Sequence, residues 1–344
     1  MVETAFWRGR PALVTGGASF IGSHLTDQLV ARGASVRVVD DLSSGKLDNL
    51  SAAIDAGVEF VRGDLRDPVV AREVTADRSV VFHLAADHGG RGYIDLHQEA
   101  MTVNFLIDQN VFRASLDAGC EKVVYASSGC AYPLHLQSNP EETLYLTEDM
   151  VGPPYEPDGI YGLAKVVGEL TLKAMHDERG LRSASVRYFT VYGPRGVENH
   201  AVMAMIARCL VREDPFTVWG NGEQIRNWTY VDDIVSGTIL AAEKIDDATA
   251  VNLGTSERVR VIDAVRLAMK MTGHEAPTKL LPDAPTGPMN RVASNDLAKK
   301  LMDWEPEVLF EEGLRRTVDW YFSTKKADDV RPALSAALTE RGVS

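Results

Sequence analysis

The 344 residues carry 49 acidic against 36 basic side chains, a formal charge of −13, and 45% are hydrophobic. That balance repels nucleic acid and anionic lipid in bulk, while the apolar share can fill one large or two modest domain cores. No apolar run is long enough to span a bilayer, and the start Met1–Trp7 lacks the basic-then-apolar layout of a signal peptide, so a cytoplasmic chain away from membranes is expected.

Taken in order, Pro11-Ala-Leu-Val-Thr15 suits a buried strand and leads into Gly16-Gly-Ala-Ser-Phe-Ile-Gly22. Leu25, Leu29 and Val30 then recur at helical spacing, and Arg32-Gly33 stops the helix. Strand, glycine-rich turn and helix N-terminus together form an anion site, because backbone N–H groups and the helix dipole point at one place. A pyrophosphate is expected over Gly16, Ser19, Phe20, Ile21 and Gly22, with Ser19 standing where the usual pattern has its second glycine. The next strand, Ser35–Val39, delivers Asp40. A carboxylate there bonds adenosine ribose hydroxyls and repels a 2′-phosphate, so NAD is expected rather than NADP.

Further strand-like runs, Val58–Arg62, Ser79–Leu84, Lys122–Ala126 and Ser183–Arg187, alternate with helical stretches. The alternation predicts an α/β fold with a Rossmann-like, doubly wound parallel sheet. Beyond Tyr192-Gly-Pro194, longer loops and the amphipathic pieces Val261–Met271 and Glu311–Tyr321 predict a smaller C-terminal substrate domain. The expected division is a cofactor domain over 1–189, to which 228–256 returns through a helix at Trp228–Ala242 and a strand at Val251–Gly254. The substrate domain takes 190–227 and 257–330, and 331–344 is a tail.

Between the last two strands of the first half, Ser127-Ser-Gly-Cys-Ala-Tyr-Pro133 precedes Tyr161-Gly-Leu-Ala-Lys165. Tyr161 and Lys165, four apart, share one face of a helix, so the ammonium is expected to lower the phenol pKa and make a base near neutrality. Such a base takes the proton of a sugar hydroxyl while a nicotinamide accepts hydride, with Ser128 steadying the oxygen. Hydride transfer alone needs no thiol, which singles out Cys130. The three cysteines, Cys120, Cys130 and Cys209, have neither disulfide-framework nor zinc spacing, and the eight histidines suggest no metal.

These motifs, with Gly63-Asp64-Leu65, His83-Leu-Ala-Ala86, Asn104, Arg187–Pro194 and Gly222–Asp232, resemble the extended short-chain dehydrogenase/reductases over nearly the whole chain. Within them the likeness is to NAD-dependent nucleotide-sugar epimerases and dehydratases. The resemblance implies an isomerase with NAD as cofactor, a nucleotide sugar as substrate, and a homodimer built by pairing the helix of Tyr161 with the one after Asn104. It assigns Asp64 and Leu65 to the adenine, Ala85 and Ala86 to the pyrophosphate channel, and Asn104 to the cofactor site. Arg226 and Arg291 fall to the substrate diphosphate, and Trp219 to the substrate pocket.

Two segments look like GDP-mannose 3,5-epimerases in particular. Ala86-Asp-His-Gly-Gly-Arg-Gly-Tyr-Ile94 resembles their sugar loop, which brings Gly89, Gly90 and Arg91 to the substrate, and Gly129-Cys130 falls where they carry an acid/base cysteine. Inversion at C3 or C5 next to a C4 ketone needs a second proton-transfer group, and His200 stands where the family has a lysine. Thr190 replaces an asparagine of that family, a feature shared with some uronate 4-epimerases. A 4-epimerase, which needs only Tyr161 and Lys165, is the alternative. A 4,6-dehydratase lacks its acidic pair at 129–130, and a non-catalytic NAD-sensing module can dispense with the tyrosine and lysine.

Overall fold

The structure is a computed structural model, described for residues 5–332 and 334. Seven parallel strands form its centre: β1 (Pro11–Thr15), β2 (Ser35–Asp40), β3 (Glu59–Arg62), β4 (Val80–His83), β5 (Lys122–Ser128), β6 (Arg182–Tyr188) and β7 (Asp247–Leu253). Their order across the sheet is β7-β6-β5-β4-β1-β2-β3, the expected doubly wound arrangement. The apolar runs fit this position because a strand covered on both faces has no polar side to show. Alternation then sorts the side chains: Ala12, Val14, Val36 and Val38 enter one core, while Leu13, Val39 and Val81 enter the other.

Helices cover both faces. On the first lies α1 (Phe20–Ala31), through Leu25 and Leu29. On the second lie α2 (Val103–Asp117), through Val111 and Phe112, and α3 (Gly159–Arg179), through Leu172 and Met175. Further along come α4 (Ala201–Leu210), α5 (Val231–Lys244), α6 (Val261–Thr272) and α7 (Phe310–Thr324). The segment expected to be a helix from Trp228 begins instead with the short strand Thr229–Tyr230, which pairs with Val191–Tyr192. α5 follows and packs on α1 through Ile234, Val235 and Ile239, and β7 completes the sheet beside β6. Leu29 is fully buried there, and its truncation to alanine would cost about 2–5 kcal/mol.

Small ribbons carry the second half. Phe216–Trp219 pairs with Thr278–Leu281, and Ile225–Arg226 lies between Val259–Arg260 and Asn290–Arg291. The last register sets Arg291 directly beside Arg226. Of the 331–344 tail, Arg331, Pro332 and Leu334 are described, and the rest lies outside the described residues. Among the described residues no helix is long and apolar enough to cross a membrane.

Candidate active site

A cleft of about 600 Å³ opens at the C-terminal ends of the strands, where β1 and β4 part toward opposite sides of the sheet. One end is walled by a turn and a loop. The turn from β1 into α1 lines it with Ser19, Phe20, Ile21 and Gly22, and the loop after β2 adds Leu42–Lys46. A Cβ on Gly22 would collide with the Gly16 carbonyl oxygen, so the turn closes this tightly only with glycine there. Ser19 fits in place of a glycine because its φ of −85° is ordinary, and its hydroxyl donates back to the Gly16 carbonyl at 2.5 Å. The first-turn amides of α1 face the cleft without intrahelical partners, as at any helix start.

Asp40 closes β2, as expected. Its carboxylate accepts from the amides of Ala18 (3.0 Å) and Leu42 (2.8 Å) and lies buried beneath the 41–46 loop, so it ties the turn to that loop. Asp64 forms a surface ion pair with Arg66, Leu65 packs into the second core, and Ala85 donates its amide to the Thr15 hydroxyl. None of these four residues lines the cleft, whereas Ala86 does. Asn104 also stands back from the cavity: its amide accepts from the Asp87 N–H (2.7 Å) and donates to the Asp87 carbonyl (2.8 Å), which pins the loop after β4. The sequence pattern marks these positions, but not whether a side chain faces the cleft or braces its wall.

At the middle of the cleft stand Ser128, Cys130, Tyr161 and Lys165. Helix α3 can bring Tyr161 this close because Gly162 packs on the Cys130 carbonyl oxygen. The expected electrostatics are reversed in this arrangement. The Lys165 ammonium lies over the rings of Tyr125 (4.6 Å to the centroid) and Tyr161 (5.5 Å). Enclosure by protein, with Cys130 and Asp108 adding to it, pushes the Tyr161 phenol well above its ordinary value, and the Ser128 hydrogen bond pulls the other way. Burial likewise pushes Lys165 down. Beneath them runs a buried chain that the sequence reading missed. Thr15 Oγ1 meets His83 Nδ1 at 2.8 Å, His83 Nε2 meets Asp108 at 2.9 Å, and Tyr125 donates to Asp108 at 2.6 Å.

The far end is built from charge. Arg291, buried, donates to Gln137 (2.7 Å), to Cys130 Sγ (3.3 Å) and to Asp158 Oδ2 (2.9 Å). Arg91 reaches the same Asp158 oxygen at 2.7 Å and also pairs with Asp95. Arg291, expected on a diphosphate, is thus held by a carboxylate and a thiol. Asp158 carries no motif signal; it sits just before α3, and only the fold brings it under two arginines. Arg226 donates to the carbonyls of Ile225 and Thr286, each at 2.8 Å, and among the described residues it is in no ion pair. Burial, with the charges of Arg291 and Arg91, pushes its guanidinium below the ordinary value. A desolvated cation facing a cleft is a binding point for an anion. Gly89, Gly90, Gly129, Thr190 and Trp219 complete this wall.

His200 precedes the first turn of α4 and lines the cleft, where burial pushes its imidazole down to about 4, so it is neutral at physiological pH. Between it and Tyr161 stands His88, with ring centroids 5.9 Å from His200 and 6.3 Å from Tyr161. His88 lies inside the sugar-loop motif, yet its contact with His200 depends on chain segments more than a hundred residues apart.

A sequence model of the NAD dependent epimerase/dehydratase family matches residues 12–254. The chain is 31% identical over 312 residues to a GDP-mannose 3,5-epimerase of Arabidopsis thaliana, covering 89% of this chain and 81% of that protein. Among solved structures it is similar to a UDP-glucose 4-epimerase of Thermus thermophilus in complex with NAD (30% identity, TM-score 0.80, 91% of this chain and 99% of that one). It is also similar to a UDP-glucuronic acid 4-epimerase of Bacillus cereus in complex with UDP-glucuronic acid and NAD (27% identity, TM-score 0.82, 91% and 99%). A parallel doubly wound sheet, a glycine-sealed cradle at the start of α1 and a tyrosine–lysine pair in the same cleft agree with these likenesses, and the chain therefore belongs to the NAD dependent epimerase/dehydratase family, as an isomerase that works with NAD.

Proposed function

We propose that the protein epimerises a nucleotide sugar at C3, C5 or both through a transient C4 ketone, with a GDP-hexose such as GDP-mannose as substrate. The observation that carries this reading is that Cys130 and His200 line the same cleft as Tyr161, giving two proton-transfer groups beyond those that oxidation at C4 needs. The turn 16–22 and the loop 42–46 hold NAD, whose chemistry is reversible hydride acceptance together with, in the oxidised form, a positive charge that favours phenolate. Tyr161, steadied by Ser128, takes the C4 hydroxyl proton. A C4 ketone acidifies the hydrogens on C3 and C5, and Cys130 and His200 remove a proton from one face and return one to the other. His200, neutral because buried, can act as base without first losing a proton. Arg226 holds a phosphate of the diphosphate.

The test is turnover of GDP-mannose in deuterated water, with deuterium located by NMR. Deuterium at C3 or C5 is the expected result. His200→Ala should reduce that uptake by ~10²–10⁴ while C4 oxidation persists as absorbance of reduced cofactor, and Cys130→Ala should give exchange without full inversion. A second reading, 4-epimerisation, is supported by Thr190. It forecasts no solvent deuterium in the product, because hydride leaves and returns within the enzyme.

Two finer readings belong with this proposal. Three free, buried cysteines suit a reducing compartment such as the cytoplasm. The outer faces of α2 and α3 leave Leu106 at 49% and Leu170 at 45% exposure, with Ala174 exposed beside them, and a second copy of the chain covering this surface would make a homodimer. Light scattering should give twice the chain mass at micromolar concentration, and Leu170→Asp should shift it toward the monomer.

A further inference from the structure

The cleft holds one titratable ring that the proposed chemistry does not use. His88 is exposed, whereas His200 is enclosed enough that carrying a positive charge is unfavourable. Two contacts fix their relation. Asn104 clamps both backbone polar groups of Asp87, which sets the start of the loop, and Gly90 packs so closely on the Asn199 carbonyl that a Cβ there would collide with it. The Gly90–Asn199 contact thereby joins the loop of His88 to the segment of His200, two residues after the first histidine and one before the second. The rings stand 5.9 Å apart between centroids, a gap that one water or a substrate hydroxyl bridges.

We propose that His88 is the exit for the proton that His200 abstracts, a relay from the closed side of the cleft to solvent. The inference rests on the proposed epimerisation at C3 or C5. When His200 removes the hydrogen next to the C4 ketone, the C–H bond breaks, its electron pair stays on the sugar as an enolate, and the proton bonds to an imidazole nitrogen. The opposite face is then protonated from Cys130, which leaves a thiolate on one side and an imidazolium on the other. The cycle resets only if the imidazolium gives up its proton and the thiolate regains one. His88 takes that proton at one ring nitrogen as the other gives one up to water, and water in the cleft returns a proton to the Cys130 thiolate, so charge and atoms balance with solvent as the only proton source. Its exposed position suits that release, and its separation from Tyr161 by a centroid distance of 6.3 Å keeps the relay distinct from the hydroxyl proton held there.

The relay is measured by the ratio of exchange to inversion. Holoenzyme is incubated with GDP-mannose in deuterated water, and deuterium is quantified at C3 and C5 in both recovered substrate and epimerised product. Without the relay the abstracted proton stays on His200 and returns to the carbon it came from. His88→Asn should therefore lower deuterium in recovered substrate, per epimer formed, by about tenfold or more. Bound NAD and substrate affinity, measured on the same sample, separate this from misfolding, which would move both. His88→Gly supplemented with imidazole should restore exchange, since the position is open to a small base, and a residue that only supported the loop would not be rescued. An unchanged ratio in His88→Asn overturns the relay while leaving the epimerisation intact. Absence of deuterium at C3 and C5 in the wild type overturns both together.

Discussion

Between β1 and α1 the cleft wall is a tight turn, closed by Gly22 against the Gly16 carbonyl, with Ser19 folded onto the same oxygen. Around Cys130 the wall is side chains, with Arg91 and Arg291 sharing one oxygen of Asp158, Arg226 beside them, and His88 and His200 opposite Tyr161. The first region recognises through amides and a helix dipole, which every residue type but proline supplies, so what it demands of the sequence is glycine where backbones meet, at Gly16 and Gly22. The second recognises through charge and proton affinity, which depend on which groups are brought together and how far water is excluded. A cofactor common to many relatives suits the first construction, and a substrate that differs among them suits the second.

The contrast can be broken most sharply at Gly22. An alanine there forces its Cβ into the Gly16 carbonyl oxygen, and since neither backbone can give, the purified variant should contain no NAD and show no turnover, as measured by cofactor released on denaturation. Retained NAD would mean that the turn is not the cradle. At Tyr161 the effect should be confined to chemistry. Tyr161→Phe should lower turnover by ~10²–10⁴ with NAD content unchanged, because one oxygen is lost from the side-chain end of the cleft and nothing from the turn between β1 and α1. Equal activity would remove the tyrosine from the reaction.

The smallest effect sharpens the charged end. The unfolded chain takes up a proton at His200 near 6.5, but the folded chain does so only near 4. Stability therefore falls as pH is lowered across that window and levels off below it, with no contribution above 6.5. Melting temperature should decline more steeply between pH 6.5 and 4 in the wild type than in His200→Ala. Parallel curves would show that His200 is not enclosed in solution as it is here.

The parallel sheet, the cradle and the tyrosine–lysine pair were legible in the chain because each is written in local terms. Ala12–Val14 is apolar throughout since both faces of β1 are covered, Gly16 and Gly22 are glycines because a backbone must pass close to a backbone, and Tyr161 and Lys165 share a face by helical period alone. What those residues meet across the fold was decided elsewhere. The period puts Lys165 beside Tyr161, but Tyr125 on β5 draws the ammonium over its ring, and enclosure raises the phenol that the pair was expected to lower. Asp40 ends β2 as the pattern requires, and the fold adds that its carboxylate ties the amides of Ala18 and Leu42 together. Asp158 and His88 stand in no spacing rule, and their partners Arg291 and His200 lie 133 and 112 positions away along the chain. Period and composition fix which face of an element is apolar or polar, because those depend on neighbours a few residues off. Proton affinity and charge pairing depend on what excludes water and what lies within a few ångströms, and only the packed chain sets those distances.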